Sequence, residues 1–154
     1  MLQIGDTANN ITLKGLTKEN HMANISLSEF QGKNVILFFY SMEKALNAPE
    51  KTKQFGDTFN VLNDAVILLV NKDSLENQIQ LKKLSEFSNF IFLTDPNGRA
   101  AKIFDTENDN TLSSTSSLFL LNGDLKIINL WKQQEHMGNI ADEIYNYIKQ
   151  KTYN

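Results

Sequence analysis

Two apolar patterns alternate along this chain. Val35–Tyr40 and Ala65–Asn71 are short runs of β-favouring residues, too short for helices, and read as strands buried on both faces. Between them Ala48, Thr52, Phe55, Phe59 and Leu62 recur at spacings of four and three, which predicts an amphipathic helix ending near Asn63. Pro49 suits its first position, where a missing N–H costs nothing. Asp73 with Glu76 predicts a capped helix through Phe87, with Leu75, Ile79, Leu84 and Phe87 facing inward. Phe90–Leu93 is a third short strand, Asp95–Gly98 a turn, and Arg99–Phe104 a short helix.

The ends carry shorter signals. Ile11–Leu13 and Asn24–Leu27 flank a polar Gly15–Asn20 turn region and predict an N-terminal β-hairpin. Ser28-Glu29-Phe30 before Gly32 reads as one helical turn. Asp105–Ser117 is polar and aperiodic, hence a loop. Leu118–Leu121, Asn122-Gly123-Asp124 and Lys126–Trp131 form a second hairpin pattern. Ile140, Ile144, Tyr147 and Ile148 stripe a closing helix. Strand and helix alternate without repeat or linker, so the expectation is a single α/β domain over residues 1–154, its central sheet covered on both faces.

Composition changes this picture in two places. With a net charge of −3 and no basic stripe interleaved with aromatics, nucleic-acid binding is not expected. There are no cysteines, so disulfides, thiolate metal sites and every cysteine-based reaction are excluded. Met1–Asp6 shows no secretory pattern and no apolar run reaches membrane-spanning length, so the default expectation is a cytoplasmic protein without a membrane partner.

Candidate chemistry is sparse. The connection Ser41–Pro49 follows the central strand, where α/β proteins usually place their chemistry, yet it looks chemically empty. His21 and His136 stand alone in polar contexts and read as solvated. Asp105–Asn110 begins like a calcium loop but lacks the glycine at its sixth position, and Ser116 stands where the twelfth-position glutamate belongs. No metal or cofactor is expected. Met42 and Leu46 are apolar in a polar loop: either they fold back onto the domain or they form a contact surface.

Several phrases taken together resemble a known family. Gly5-Asp6-Thr7-Ala8, Ile25–Lys33, Val35–Tyr40, Thr94–Gly98 and Phe119–Asp124 are similar in order and separation to peroxiredoxins of the AhpC/TSA family, most nearly the bacterioferritin comigratory or Q-type group. The resemblance implies a thioredoxin-like fold, with a central mixed sheet, flanking helices and an N-terminal hairpin. It also implies a thioredoxin-dependent peroxidase site after the central strand: a proline, a threonine or serine four residues later, and the peroxidatic cysteine three beyond. Carried onto this chain these fall on Ser41, Ala45 and Ala48; the Q-type resolving cysteine falls on Lys53 and the activating arginine on Ser116. None matches.

Peroxide reduction needs a thiolate to attack the O–O bond, and a cation and donors to activate it. Ala48 offers a methyl group, Ala45 no hydroxyl and Ser116 no charge. Losing the supporting residues together with the cysteine favours a natural pseudoenzyme acting as an interaction or regulatory module. Its expected partners are a second copy or an active peroxiredoxin, met through Met42 and Leu46. Two alternatives stay open: an antioxidant hydroperoxide-reducing peroxidase whose cysteines have been replaced, and a thioredoxin-like module binding a ligand or peptide at the Ser41–Pro49 rim.

Overall fold

A computed structural model describes residues 2–41, 47, 49–59, 62, 64–85, 90–104, 116–134 and 140–153. Seven strands form one mixed sheet: β1 (Thr12–Leu16), β2 (Met22–Ser26), β3 (Asn34–Phe39), β4 (Ala65–Asn71), β5 (Phe90–Thr94), β6 (Ser116–Leu121) and β7 (Ile127–Gln134), in the spatial order β2-β1-β5-β4-β3-β6-β7. Strands β3, β4 and β5 run parallel, while β1, β2, β6 and β7 extend the sheet antiparallel on either side. The helices are α1 (Pro49–Thr58), α2 (Leu75–Ser85), α3 (Arg99–Ile103) and α4 (Ile140–Tyr153), with a 3-10 turn at Leu27–Phe30.

Because successive strand residues point to opposite faces, each continuous apolar run feeds two cores. Ile36, Phe38 and Tyr40 join Ile67, Leu69, Phe90, Phe92, Leu118 and Leu120 on one face, under Phe55 of α1 and Ile140, Ile144 and Ile148 of α4. Val35, Leu37, Val66, Leu68, Val70, Phe119 and Leu121 line the other, covered by Leu27, by Ala100 of α3 and by Phe104. The thioredoxin-like α/β sheet predicted from sequence is present, and the N-terminal hairpin is its outer edge rather than an appendage: Lys14–Leu16 pair with β5.

Several details differ from expectation, among them β1, which runs Thr12–Leu16 rather than Ile11–Leu13, and β2, which runs Met22–Ser26 rather than Asn24–Leu27. Helix α1 stops at Thr58, five residues short of the predicted end near Asn63. The N–H groups of Phe59 and Leu62 then bond carbonyls only three residues back, at Gly56 and Phe59. These tight turns keep Phe59 and Leu62 on the core, which is why the apolar period outruns the helix. The cap of α2 is Ser74, whose Oγ accepts the Asn77 N–H at 3.2 Å. Asp73 is already committed: its N–H donates to Asn71 Oδ1 and its carbonyl accepts Thr94 Oγ1 at 2.6 Å. Ser116 and Ser117, predicted as loop, are the first residues of β6. Asp95 does more than turn the chain, because its buried carboxylate accepts the N–H groups of Ala100 and Ala101 at the start of α3. No helix among the described residues is long and apolar enough to cross a membrane.

Candidate functional site

The carboxyl ends of β3, β4 and β5 lie together at one rim of the sheet, and α1 begins beside the end of β3. This geometry follows from the parallel order, which sends each crossover connection out from the same edge. Tyr40 leaves β3 with its N–H bonded to the Val70 carbonyl at 3.1 Å, and half-buried Ser41 comes next.

Beneath the rim, the Tyr40 and Thr52 hydroxyls meet at 3.0 Å, and either oxygen can be the donor. Both residues are buried. Phe38 stacks on Tyr40 with ring centroids 4.5 Å apart and meets Phe55 at 5.0 Å, so the phenol is walled by aromatic carbon. Burial pushes the Tyr40 phenol above its ordinary 10.0, and the bond with Thr52 opposes that rise. The phenol is therefore neutral at physiological pH. Next to it, Asn71 Nδ2 donates to the Tyr40 carbonyl at 3.1 Å, while Asn71 Oδ1 accepts Gln78 Nε2 at 2.9 Å. Gln78 Nε2 also donates to the Leu93 carbonyl at 3.3 Å, tying α2 to the ends of β4 and β5.

Of the site positions expected from the resemblance, Ser41, Lys53 and Ser116 are among the described residues. Lys53, at the resolving-cysteine position, is exposed on α1 and pairs with Asp57 one turn on, at 3.6 Å. Ser116, at the arginine position, is 2% exposed in β6. Ser117 pairs with Phe39, so Ser116 stands one register step beyond, at the β3 end. Ala45 and Ala48, with the contact candidates Met42 and Leu46, lie outside the described residues, as do Asp105–Asn110 and His136. His21 is exposed in the β1–β2 turn. Among the described residues no group of three or more His, Asp or Glu could hold a metal.

Sequence reasoning did not single out the Tyr40–Thr52 pair, the Asn71–Gln78 link or Lys82 of α2. Their signals are present in the pattern. Thr52 sits on the apolar stripe of α1, and Gln78 and Lys82 follow Leu75 and Ile79 at helical spacing, so polar groups occupy inward positions.

The model of the AhpC/TSA family matches residues 4–129 of this chain. Over 151 residues the chain is 24% identical to Peroxiredoxin Bcp of Bacillus subtilis (strain 168), with 93% of each chain covered. Peroxidoxin BcpB from Mycobacterium tuberculosis superposes with a TM-score of 0.77 at 18% identity, over 97% of this chain and 98% of that one. A PrxQ mutant from Xylella fastidiosa gives 0.76 at 21% identity, over 99% and 98%. The chain belongs to the AhpC/TSA family and has the thioredoxin-like peroxiredoxin fold, without a cysteine anywhere in its sequence.

Proposed function

We propose that this protein is a non-catalytic, peroxiredoxin-like interaction module. One observation carries the reading: a family whose peroxide chemistry runs through a cysteine thiolate is represented here by a chain of 154 residues with no cysteine. The surrounding positions support it. Lys53 is engaged in an exposed ion pair, Ser116 supplies a hydroxyl where the family pattern has a guanidinium, and the buried rim is closed by a neutral phenol and a threonine. That set contains no thiolate to attack a peroxide O–O bond, and no guanidinium to activate one.

The role left to such a framework is contact, with a second copy or with an active peroxiredoxin, through the Ser41–Pro49 connection and its apolar Met42 and Leu46. Apolar burial contributes about 25 cal/mol per Å² before the cost of association, so two such side chains assist an interface without holding it alone. Sedimentation of the wild type against a Met42→Asp, Leu46→Asp double variant, with and without an active peroxiredoxin from the same cell, tests this. Association weakened by the double variant is the expected result. A wild type that stays monomeric at high concentration and binds no such relative overturns it.

A further inference from the structure

The sheet ends in two outer strands, β7 and β2, and only one of them is guarded. The N-terminal segment straps the start of β7. Ala8 N–H donates to the Leu125 carbonyl at 2.8 Å, Gly5 N–H to the Ile127 carbonyl at 2.8 Å, and Ile127 N–H to the Asp6 carbonyl at 2.9 Å. Register shifts between Ser116 and Leu118 and between Leu120 and Leu121 then break its pairing with β6. Bulges and covering segments blunt a sheet edge, as do charged residues and proline. Strand β2 has the sequence Met22-Ala23-Asn24-Ile25-Ser26, with neither charge nor proline, and pairs with β1 in unbroken register. Met22, Ala23 and Asn24 are exposed, and among the described residues no segment straps this edge.

The outer side of β2 carries a fixed set of donors and acceptors. Thr17 N–H bonds the His21 carbonyl and Leu27 N–H the Ile11 carbonyl, each at 2.9 Å, so His21 and Leu27 face β1. Facing alternates along an antiparallel strand, which turns Ala23 and Ile25 toward β1 and Met22, Asn24 and Ser26 outward. The Ser26 N–H agrees with this parity, since it leaves the sheet to bond Glu29 Oε2 at 2.6 Å. That bond closes one outward donor. The N–H and carbonyl groups of Met22 and Asn24 remain, with the carbonyl of Ser26. This set is complementary to itself. When two copies run antiparallel about Asn24, each Asn24 N–H meets the other Asn24 carbonyl, and each Met22 N–H meets the Ser26 carbonyl opposite. All five residues pair, small Ala23 faces branched Ile25, and no like charges oppose. Moving the axis to Ala23 pairs only Met22–Asn24, and moving it to Ile25 loses the bonds between the two Asn24 residues.

We propose that β2 is a docking edge for a second copy of this chain, whose own β2 adds antiparallel about a two-fold axis at Asn24 and joins the two seven-stranded sheets into one. The pairing uses the same strand on both copies, so it closes as a dimer. Met22, 68% exposed, is the apolar side chain that gains cover, beside the Ser26 opposite it. Five residues a side, against the roughly 20–30 of a standard interface, make the contact weak and concentration-dependent. It is independent of the Ser41–Pro49 rim, so the Met42→Asp, Leu46→Asp double variant leaves it unchanged.

Sedimentation of the intact chain from about 10 μM to about 1 mM, with amide exchange at both limits, tests the edge. The wild type should shift toward dimer as concentration rises. Its Met22 and Asn24 amides should then gain about tenfold protection or more, the scale of one hydrogen bond, while Ala23 and Ile25, already bonded to β1, stay as they were. Asn24→Pro removes an outward N–H that β1 does not use, and Asn24→Lys sets like charges across the axis. Each should weaken association about tenfold or more. The chain has no cysteine, so Asn24→Cys places a single thiol at the axis. There the two Cα atoms of a hydrogen-bonded pair stand about 5.5 Å apart, within disulfide reach. Mild oxidation should link Asn24→Cys at least about tenfold faster than Lys14→Cys, whose exposed site lies one strand further from the axis. A wild type monomeric throughout, association untouched by Asn24→Pro and Asn24→Lys, or equal cross-linking of the two cysteine variants would overturn the proposal.

Discussion

The Tyr40 and Thr52 hydroxyls lie 3.0 Å apart in a buried site, one at the end of β3 and the other on the first turns of α1. That contact fastens α1 to the end of β3. Thr52→Val strands a buried phenol and should cost about 1–3 kcal/mol in denaturant unfolding. Tyr40→Phe should cost about 1 kcal/mol. The double variant should fall short of the sum by about 1 kcal/mol, the coupling between the two groups. Strict additivity would mean that the bond contributes nothing.

The same phenol sets a pH dependence. Its folded pKa is raised above 10.0, so the folded state holds the proton more tightly than the unfolded chain. The contribution is complete below pH 10.0 and is lost as pH rises through the folded value. Lys82, with a lowered pKa, acts in the opposite sense on the approach to its ordinary 10.5. Comparing wild type with Tyr40→Phe removes the lysine effect, which both share. Wild type should lose more stability than Tyr40→Phe above pH 10.0; parallel curves would contradict the assignment.

Gly15 marks a close approach inside β1. A Cβ there would lie 2.2 Å from the Phe92 carbonyl oxygen, with Leu93 and Ile25 crowding the same spot. The obstacle is backbone in the partner strand, so relief requires separating β1 from β5. Gly15→Ala should therefore destabilise by about 3 kcal/mol or more, beyond the usual range for a single substitution. Hydrogen exchange should locate the loss at the β1–β5 seam. A change within about 0.5 kcal/mol, typical of an exposed site, would contradict this packing.

Gly15 also shows where the sequence stops being legible. Read locally, a glycine before polar residues is a turn signal, and the Gly15–Asn20 region was predicted as one. The residue is in fact inside a strand, selected by a neighbour some eighty positions away. Strands β3 and β4 were readable because burial on both faces writes itself as an unbroken apolar run. Ser116 and Ser117 were not, because their strand identity comes from pairing with β3 and β7 rather than from side-chain character. Asp95 looked like a turn residue and proved also to cap α3, a role fixed only once Ala100 and Ala101 fold back over it. The absence of cysteine could be read directly, since it is a property of the sequence alone. The Tyr40–Thr52 and Asn71–Gln78 links required coordinates, because they join residues on different elements.

Restoring a thiol should not restore a peroxidase. Ala48→Cys should react sluggishly with hydrogen peroxide, since Ala45 brings no hydroxyl and Ser116 no cation to activate it. Adding Ala45→Thr and Ser116→Arg should raise the rate further than either alone. The arginine would enter a position now 2% exposed, so it should also lower stability by about 3 kcal/mol or more unless a counter-charge accompanies it. Stopped-flow peroxide consumption and denaturant unfolding on the same variants measure both effects. A single Ala48→Cys variant as fast as an active peroxiredoxin would contradict the placement of the supporting residues.

The most direct measurement is peroxide consumption by the wild-type chain, with hydrogen peroxide or an organic hydroperoxide as substrate and thioredoxin, glutaredoxin or a small dithiol as reductant. Enzymes accelerate their reactions by roughly a million-fold or more, so a true peroxidase cannot hide beneath the uncatalysed rate. The account predicts consumption indistinguishable from a metal-free blank under every reductant. Turnover clearly above that blank, from a chain with no cysteine to oxidise, would contradict it.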